Sequence, residues 1–432
     1  MRGAAAGASE LPTWKRIFRN ASSLLISGGI GELLTTYAVG LSALALGPPG
    51  FGTLAEAQAF MDPFEALAGF GLIQVSITLA ARNGACDGTV RATVMGLRFG
   101  FAFVAILAAL AIAMATGRGA LAPLLLLLAV NSLVSPITHS STLPFQCDQS
   151  MHRLVAVPFL AGVVRVVIAY LAYWLICTPT GFQLSATMAA VATAGFSFLF
   201  ARRYYRAELR FDTTLARELL AIAWPIATLE VIVMIYCRGS YFLLHNAGSA
   251  VQGEFAAADR LVKPILTLAG AIVVSSLPTV AGMAGRGEFV ELLRSYKRAC
   301  LRICLSLAPI TLAACLLMPS LLRRFAPEYA NASSSFRILT IGAVFMFINQ
   351  LSSAFIISLG KFRLILAIGL TNLVVYFAIA TYLIPRYAAP GAAVSTAVTE
   401  AGNTILQCLA VLFLLKQAIR DSKASSLSAP TA

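Results

Sequence analysis

The chain has 432 residues, 59% of them hydrophobic and only 12% charged. A soluble domain carries about a quarter charged residues, so the composition argues against a soluble enzyme or binding module. The formal net charge of +14 follows from where the bases sit along the chain and needs no nucleic-acid partner.

Apolar segments of roughly 20 residues recur along nearly the whole length, the pattern of a polytopic α-helical membrane protein. Runs such as "LAPLLLLLAV" do not alternate, which excludes the strands of a membrane barrel. The basic residues of the opening "MRGAAAGASELPTWKRIFRN" precede a full-length span without a clear cleavage site, so residues 1–20 read as a cytoplasmic interfacial segment and not as a signal peptide. Trp14, Lys15, Arg16, Phe18 and Arg19 form its anchor. Twelve spans follow, at about 21–45, 51–80, 92–116, 121–143, 154–177, 184–201, 218–246, 252–282, 299–320, 335–358, 364–384 and 389–415. Residues 202–217 form a basic linker in mid-chain, and the polar, small-residue tail 416–432 is expected to be disordered.

With the N-terminus inside, Lys and Arg crowd the cytoplasmic segments, and the outer loops hold only Arg118, Arg323, Arg324 and Arg386. That bias predicts both termini in the cytoplasm and an even number of crossings.

The chain also repeats itself. Shifted by 201 residues, "GTLAEAQAFMDPFEALAGFG" from Gly52 lies over "GEFAAADRLVKPILTLAGAI" from Gly253 without a gap. Gly52/Gly253, Ala55/Ala256, Ala57/Ala258, Pro63/Pro264, Leu67/Leu268, Ala68/Ala269 and Gly69/Gly270 coincide. An offset of six spans preserves the direction of each helix. Spans 1–6 (residues 21–201) and spans 7–12 (residues 218–415) then form two lobes related by a pseudo-twofold along the membrane normal.

Asp62 corresponds to Lys263 in this register, each about eleven residues from the outer end and hence roughly 16 Å deep. Equivalent positions near such an axis can face each other across a water-filled cleft. The spans hold further charges: Glu32, Glu65, Glu230, Asp259 and Glu400 among the acids, Arg98, Arg165, Arg238, Arg260 and Lys263 among the bases. Each costs about 2.5–3.5 kcal/mol at the bilayer centre, so so many chance placements are implausible.

Asp62 and Glu65 line a cavity or form a structural pair. Arg260, Lys263, Arg238 and Arg165 are candidates for holding an anion or for bridging helices. Asp259 and Lys263 are spaced as a helix-surface pair, and Arg238, Tyr241 and His245 share one helix face. Arg98 is close enough to the cytoplasm to snorkel. Glu32, Glu230, Asp259 and Glu400 are candidates for ion coupling. Asn349, Gln350, Asn372 and Asn403 suit interhelical hydrogen bonds. The eight cysteines form no C-x-x-C pair and the three histidines show no metal spacing. Phosphate-loop, dinucleotide and nucleophile-elbow motifs are absent. The sequence thus predicts a transporter without cofactor or metal.

The stretches "LGPPGFGTLAEA", "RRFAPEYANASSSFRILTIGAV" and "SLGKFRLILAIGLTNLVVYFAIATYLIPRYAAPGAAVSTAVTE" resemble the oligosaccharide-lipid flippases of the multidrug/oligosaccharidyl-lipid/polysaccharide (MOP) superfamily. The likeness includes the P-E-Y motif at Pro327–Tyr329 and the I-P-R-Y…G-A-A pattern from Ile384. Departures are small: Ala326, where such proteins often have Gly, and Pro390 in the last outer loop. The resemblance implies an all-α fold like that of the multidrug-exporting MATE members. It also implies movement of an undecaprenyl-diphosphate-linked oligosaccharide (an O-antigen, capsule or exopolysaccharide unit) across a bacterial inner membrane, with a polysaccharide polymerase as a possible partner. Ion-gradient coupling is a further implication. A multidrug exporter of the same superfamily is the nearest alternative. A glycan polymerase or ligase would need a longer outer loop than about Ser320 to Phe336.

Overall fold

The computed structural model describes residues 13–83, 88–148, 151–154, 156–205 and 210–428, with side chains left undescribed at 13–30, 32, 78–83, 151–152, 264–279, 281, 362 and 422–428. Eleven α-helices run through them. The first six are α1 (Thr13–Gly69), α2 (Leu72–Asn83), α3 (Gly88–Ala115), α4 (Ala122–Cys147), α5 (Ala156–Leu175) and α6 (Pro179–Tyr204). The others are α7 (Thr213–Leu244), α8 (Ser249–Gly285), α9 (Phe289–Phe325), α10 (Ala332–Ser358) and α11 (Phe362–Ser428).

Two of these helices are each a pair of spans. Helix α1 is interrupted at Gly47 (φ 61°, ψ 178°), with Pro48 and Pro49 opening the next segment. A glycine takes the left-handed backbone freely, and proline suits a first helical turn. Helix α11 is interrupted at Ala388 (φ 52°, ψ −128°), between Pro385 and Pro390. The segments on either side of these interruptions reproduce the twelve expected spans. The second span differs in one respect: Phe70 and Gly71 both take positive φ and part α2 from α1. Through Pro63 the helix is continuous.

Among the described residues, nine helical stretches are long and apolar enough to cross a membrane. Large apolar side chains such as Phe103, Trp174, Leu305 and Leu316 remain exposed on the outside, where lipid would cover them. Lipid tails leave no hydrophobic drive between helices, so close packing falls to small residues. Ala57, Ala59, Ala256, Ala258, Ala392 and Ala393 are accordingly buried.

Helices α3 to α6 pack on α1 and on one another, and α7 to α11 pack among themselves. The two sets meet where α1 crosses α8 and α7, and α7 also touches α2 and α3. At the crossing a Cβ on Gly52 would overlap the Ser249 carbonyl, and one on Gly253 would overlap that of Pro48. Pro48 and Ser249 are themselves 201 residues apart, as are Gly52 and Gly253. The contacts are therefore reciprocal. Gly248, the counterpart of Gly47, also has positive φ, at 95°.

Two boundaries differ from expectation. Helix α6 runs on to Tyr204, and α7 starts at Thr213, where Asp212 caps it through its carboxylate, accepting from the Thr214 amide at 2.7 Å. The tail, expected to be disordered from 416, continues α11 to Ser428. Lys416, Gln417, Ala418, Arg420 and Lys423 are good helix formers, and extending an existing helix needs no new nucleus.

Candidate functional site

Beyond the interruption at Gly47, α1 presents Ala55, Gln58, Ala59, Asp62 and Glu65 at helical spacing on one face. That face borders a cavity of about 660 Å³ completed by α4 to α8. Asp62, Glu65, Arg165, Arg238, Tyr241, Arg260 and Lys263, the candidates for substrate binding, all line it. Gln58, Asn131 and Gln183 join them; as neutral amides they gave no charge signal in the sequence.

Arg238 on α7 is the centre of the ionic contacts. Its Nε donates to Asp62 Oδ2 on α1, and its Nη1 lies 3.6 Å from Asp259 Oδ2 on α8. The Tyr241 hydroxyl donates to that same Asp259 oxygen at 3.2 Å. Spacing alone offered Asp259 to Lys263 and set Asp62 opposite Lys263. In the structure both carboxylates contact Arg238, whose guanidinium fork can serve two acceptors at once. Lys263 lines the same cavity one turn from Asp259.

A second chain of contacts crosses the cavity through amides. Arg260 Nη2 donates to Gln58 Oε1, and Gln58 Nε2 donates to Gln183 Oε1 at 2.8 Å. Helices α8, α1 and α6 are thereby linked. Among the described residues, Arg260 Nε and Gln183 Nε2 are buried without a hydrogen-bond partner. The Arg260 Nε–H and the Gln183 amide N–H groups are thus left unspent beside the cavity.

A smaller space of about 300 Å³ opens beside it and shares Glu65, Asn131, Ala190 and Thr193 with the cavity. Its remaining lining is Val134, Ser135, Thr138 and His139, all on α4. Glu65 is held by Ser132, whose hydroxyl donates to Oε1 at 3.2 Å. Arg98, expected to snorkel, is instead buried and donates Nη2 to Ser135 Oγ at 3.1 Å.

The Gly52/Gly253 end of the cavity is closed by further contacts. Glu56 Oε1 lies 2.6 Å from His245 Nδ1 and accepts from Arg118 Nε at 3.3 Å. The Tyr329 hydroxyl of the P-E-Y motif donates to the Ala43 carbonyl at 2.8 Å. Each of His245 and Tyr329 comes from the second half of the chain and reaches the first.

Of the ion-coupling candidates, Asp259 belongs to the Arg238 cluster. Glu230 accepts from Gln74 Nε2 at 3.0 Å, tying α7 to α2. Glu400 is buried away from the cavity, accepting from the Tyr236 hydroxyl at 2.5 Å and Asn349 Nδ2 at 2.6 Å. The Glu32 side chain lies outside the described residues.

Comparison with known proteins places this geometry in a family. The family model described as polysaccharide biosynthesis protein matches residues 17–283. No curated protein sequence matches the chain. An inward-facing multidrug resistance MATE family transporter of the MOP superfamily is similar at a TM-score of 0.72, with 15% identity over 90% of this chain and 96% of the other. The outward-facing conformation of such a transporter gives 0.67, with 15% identity over 94% and 97%. A MOP superfamily transporter from Pyrococcus furiosus, described as having a binding pocket of reverse polarity, gives 0.66, with 14% identity over 93% and 96%. With more than half of its length matched, this multi-pass chain belongs to the polysaccharide biosynthesis protein family and has the fold of the MOP-superfamily transporters.

Proposed function

We propose that the protein is a flippase that carries an undecaprenyl-diphosphate-linked oligosaccharide from the cytoplasmic to the outer leaflet of a bacterial inner membrane. The supporting observation is the cavity wall: Arg165, Arg238, Arg260 and Lys263 line it with Asp62 and Glu65, and Asp259 stands behind Arg238, so bases outnumber acids by one. A diphosphate is a permanent anion, and guanidinium groups in a site shielded from bulk water hold it by paired, charge-assisted hydrogen bonds. The unspent N–H groups of Arg260 and Gln183 suit its oxygens. A cationic drug would meet repulsion there, which disfavours the multidrug-exporter reading.

In this reading both termini are cytoplasmic, and two six-helix lobes (21–201 and 218–415) rock about the cavity. The Gly52/Gly253 crossing closes the outer side, and the lipid tail stays in the bilayer. Glu400 is the proposed coupling acid, since a carboxylate sealed from substrate can bind and release an ion separately. Glu400→Gln should make export insensitive to ionophores in membrane vesicles; unchanged sensitivity would remove Glu400 from coupling.

Deleting the gene in its host should make a lipid-linked oligosaccharide accumulate on the cytoplasmic face and deplete the surface glycan. Re-expression of the wild-type protein should restore export, and Arg260→Ala should not. An unchanged surface glycan with no accumulating lipid would overturn the proposal.

A further inference from the structure

We propose that the side chamber between α4 and α6 seats the sugar next to the diphosphate, so that polar side chains on α4 select the glycan. This inference rests on the flippase reading above.

The chamber and the charged cavity are continuous, since Glu65, Asn131, Ala190 and Thr193 border both. Their chemistry is not the same. Four bases line the cavity, whereas among the described residues no Arg or Lys lines the chamber. Asn131, Ser135, Thr138 and Thr193 supply amide and hydroxyl groups in their place. A molecule with a doubly charged head and a neutral polyhydroxylated neighbour fits the pair of spaces in one orientation only.

The polar groups on α4 form a row. Residues 131, 135 and 138 follow one another at helical spacing, giving a polar wall roughly 10 Å long. Sugar hydroxyls both donate and accept, and so do these side chains. Their available valences are complementary. Asn131 Oδ1 has no hydrogen-bond partner among the described residues but is covered, so it accepts from a sugar once the amide turns toward the chamber. The Ser135 oxygen is occupied by Arg98 Nη2, which leaves its own hydrogen to donate. Glu65 contributes a carboxylate at the mouth, an acceptor for hydroxyl groups. Val134 and Ala190 provide small apolar surfaces for the C–H faces of a sugar ring.

The test uses the full-length protein in lipid nanodiscs and two probes. One is undecaprenyl diphosphate without sugar; the other is the lipid-linked oligosaccharide that accumulates in the deletion host. Wild-type protein should bind the sugar-bearing lipid about tenfold more tightly, the gain from two or three neutral hydrogen bonds. Ser135→Ala with Thr138→Ala should abolish that advantage and leave affinity for the bare diphosphate unchanged. Thr138→Val, which keeps the side-chain shape, should lose part of it while unfolding at the wild-type temperature. Equal binding of both probes by wild-type protein, or a full advantage retained by the double variant, would overturn the chamber assignment alone. Failure of wild-type protein to bind undecaprenyl diphosphate would overturn the flippase reading and this inference with it.

Discussion

Removing the Arg238 guanidinium would take from Asp62 and Asp259 the cation that both contact. Both carboxylates are partly shielded from solvent, which places the cost between that of an exposed pair and that of a fully buried one. Arg238→Ala is expected to destabilise the protein by about 1–3 kcal/mol in thermal unfolding and to abolish export. Adding Asp62→Asn should recover much of the stability without restoring transport. Gln58 makes a different prediction. It sits between Arg260 and Gln183, so Gln58→Glu would offer Arg260 a rival anion at hydrogen-bond distance. On the flippase reading, affinity for undecaprenyl diphosphate should fall at least about tenfold, whereas Gln58→Ala should cost less. Charged members of the site were legible in the sequence because Asp62, Glu65, Arg238, Arg260 and Lys263 interrupt apolar runs. Gln58, Gln183 and Asn131 were not, since a neutral amide in a membrane helix more often bridges helices than lines a cavity. Glu56, Arg118 and His245 lie at the ends of spans, where a charge calls for no explanation.

Helix breaks follow the same division. Gly47 and Gly248 stand at equivalent places in the repeat, and both take the positive φ that glycine tolerates. Their turns were foreseeable from Gly-Pro-Pro and from the spacing of the spans. At Ala388 an alanine holds φ 52°, a conformation that costs a side-chain-bearing residue about 1–3 kcal/mol. Ala388→Gly is therefore expected to raise stability by about 1 kcal/mol, or to be neutral if the gain in unfolded-state freedom offsets it; a loss of stability would show that the turn is not strained. The turn at Ala388 falls between the expected spans 364–384 and 389–415, but that an alanine would take the positive φ there, and that α1 and α2 would part at Phe70 and Gly71, could not be read from composition, because both depend on how neighbouring helices fix the chain. The helical tail to Ser428 was misread for a related reason. Polar composition suggested disorder, but a helix already formed upstream propagates through residues of good propensity.

The fold as a whole was the most legible level, since twelve apolar spans and one internal repeat leave few architectures open. What the repeat could not give is the depth of contact between its copies. The Gly52/Gly253 crossing brings main chain against main chain, with Ser249 and Pro48 carbonyls where side chains would otherwise stand. Contacts of Glu56 with His245 and of Tyr329 with Ala43 cluster at the same end. Main chains this close leave no space for water between the two glycines, which on the flippase reading bears on the host's energy supply as well as on export. Gly253→Val should pry the crossing open and short-circuit the membrane: a potential-sensitive dye would report depolarised cells, and growth would slow even in a host that makes no surface glycan. Cells that keep their full voltage with this variant would show that the barrier against small ions lies elsewhere along the helices.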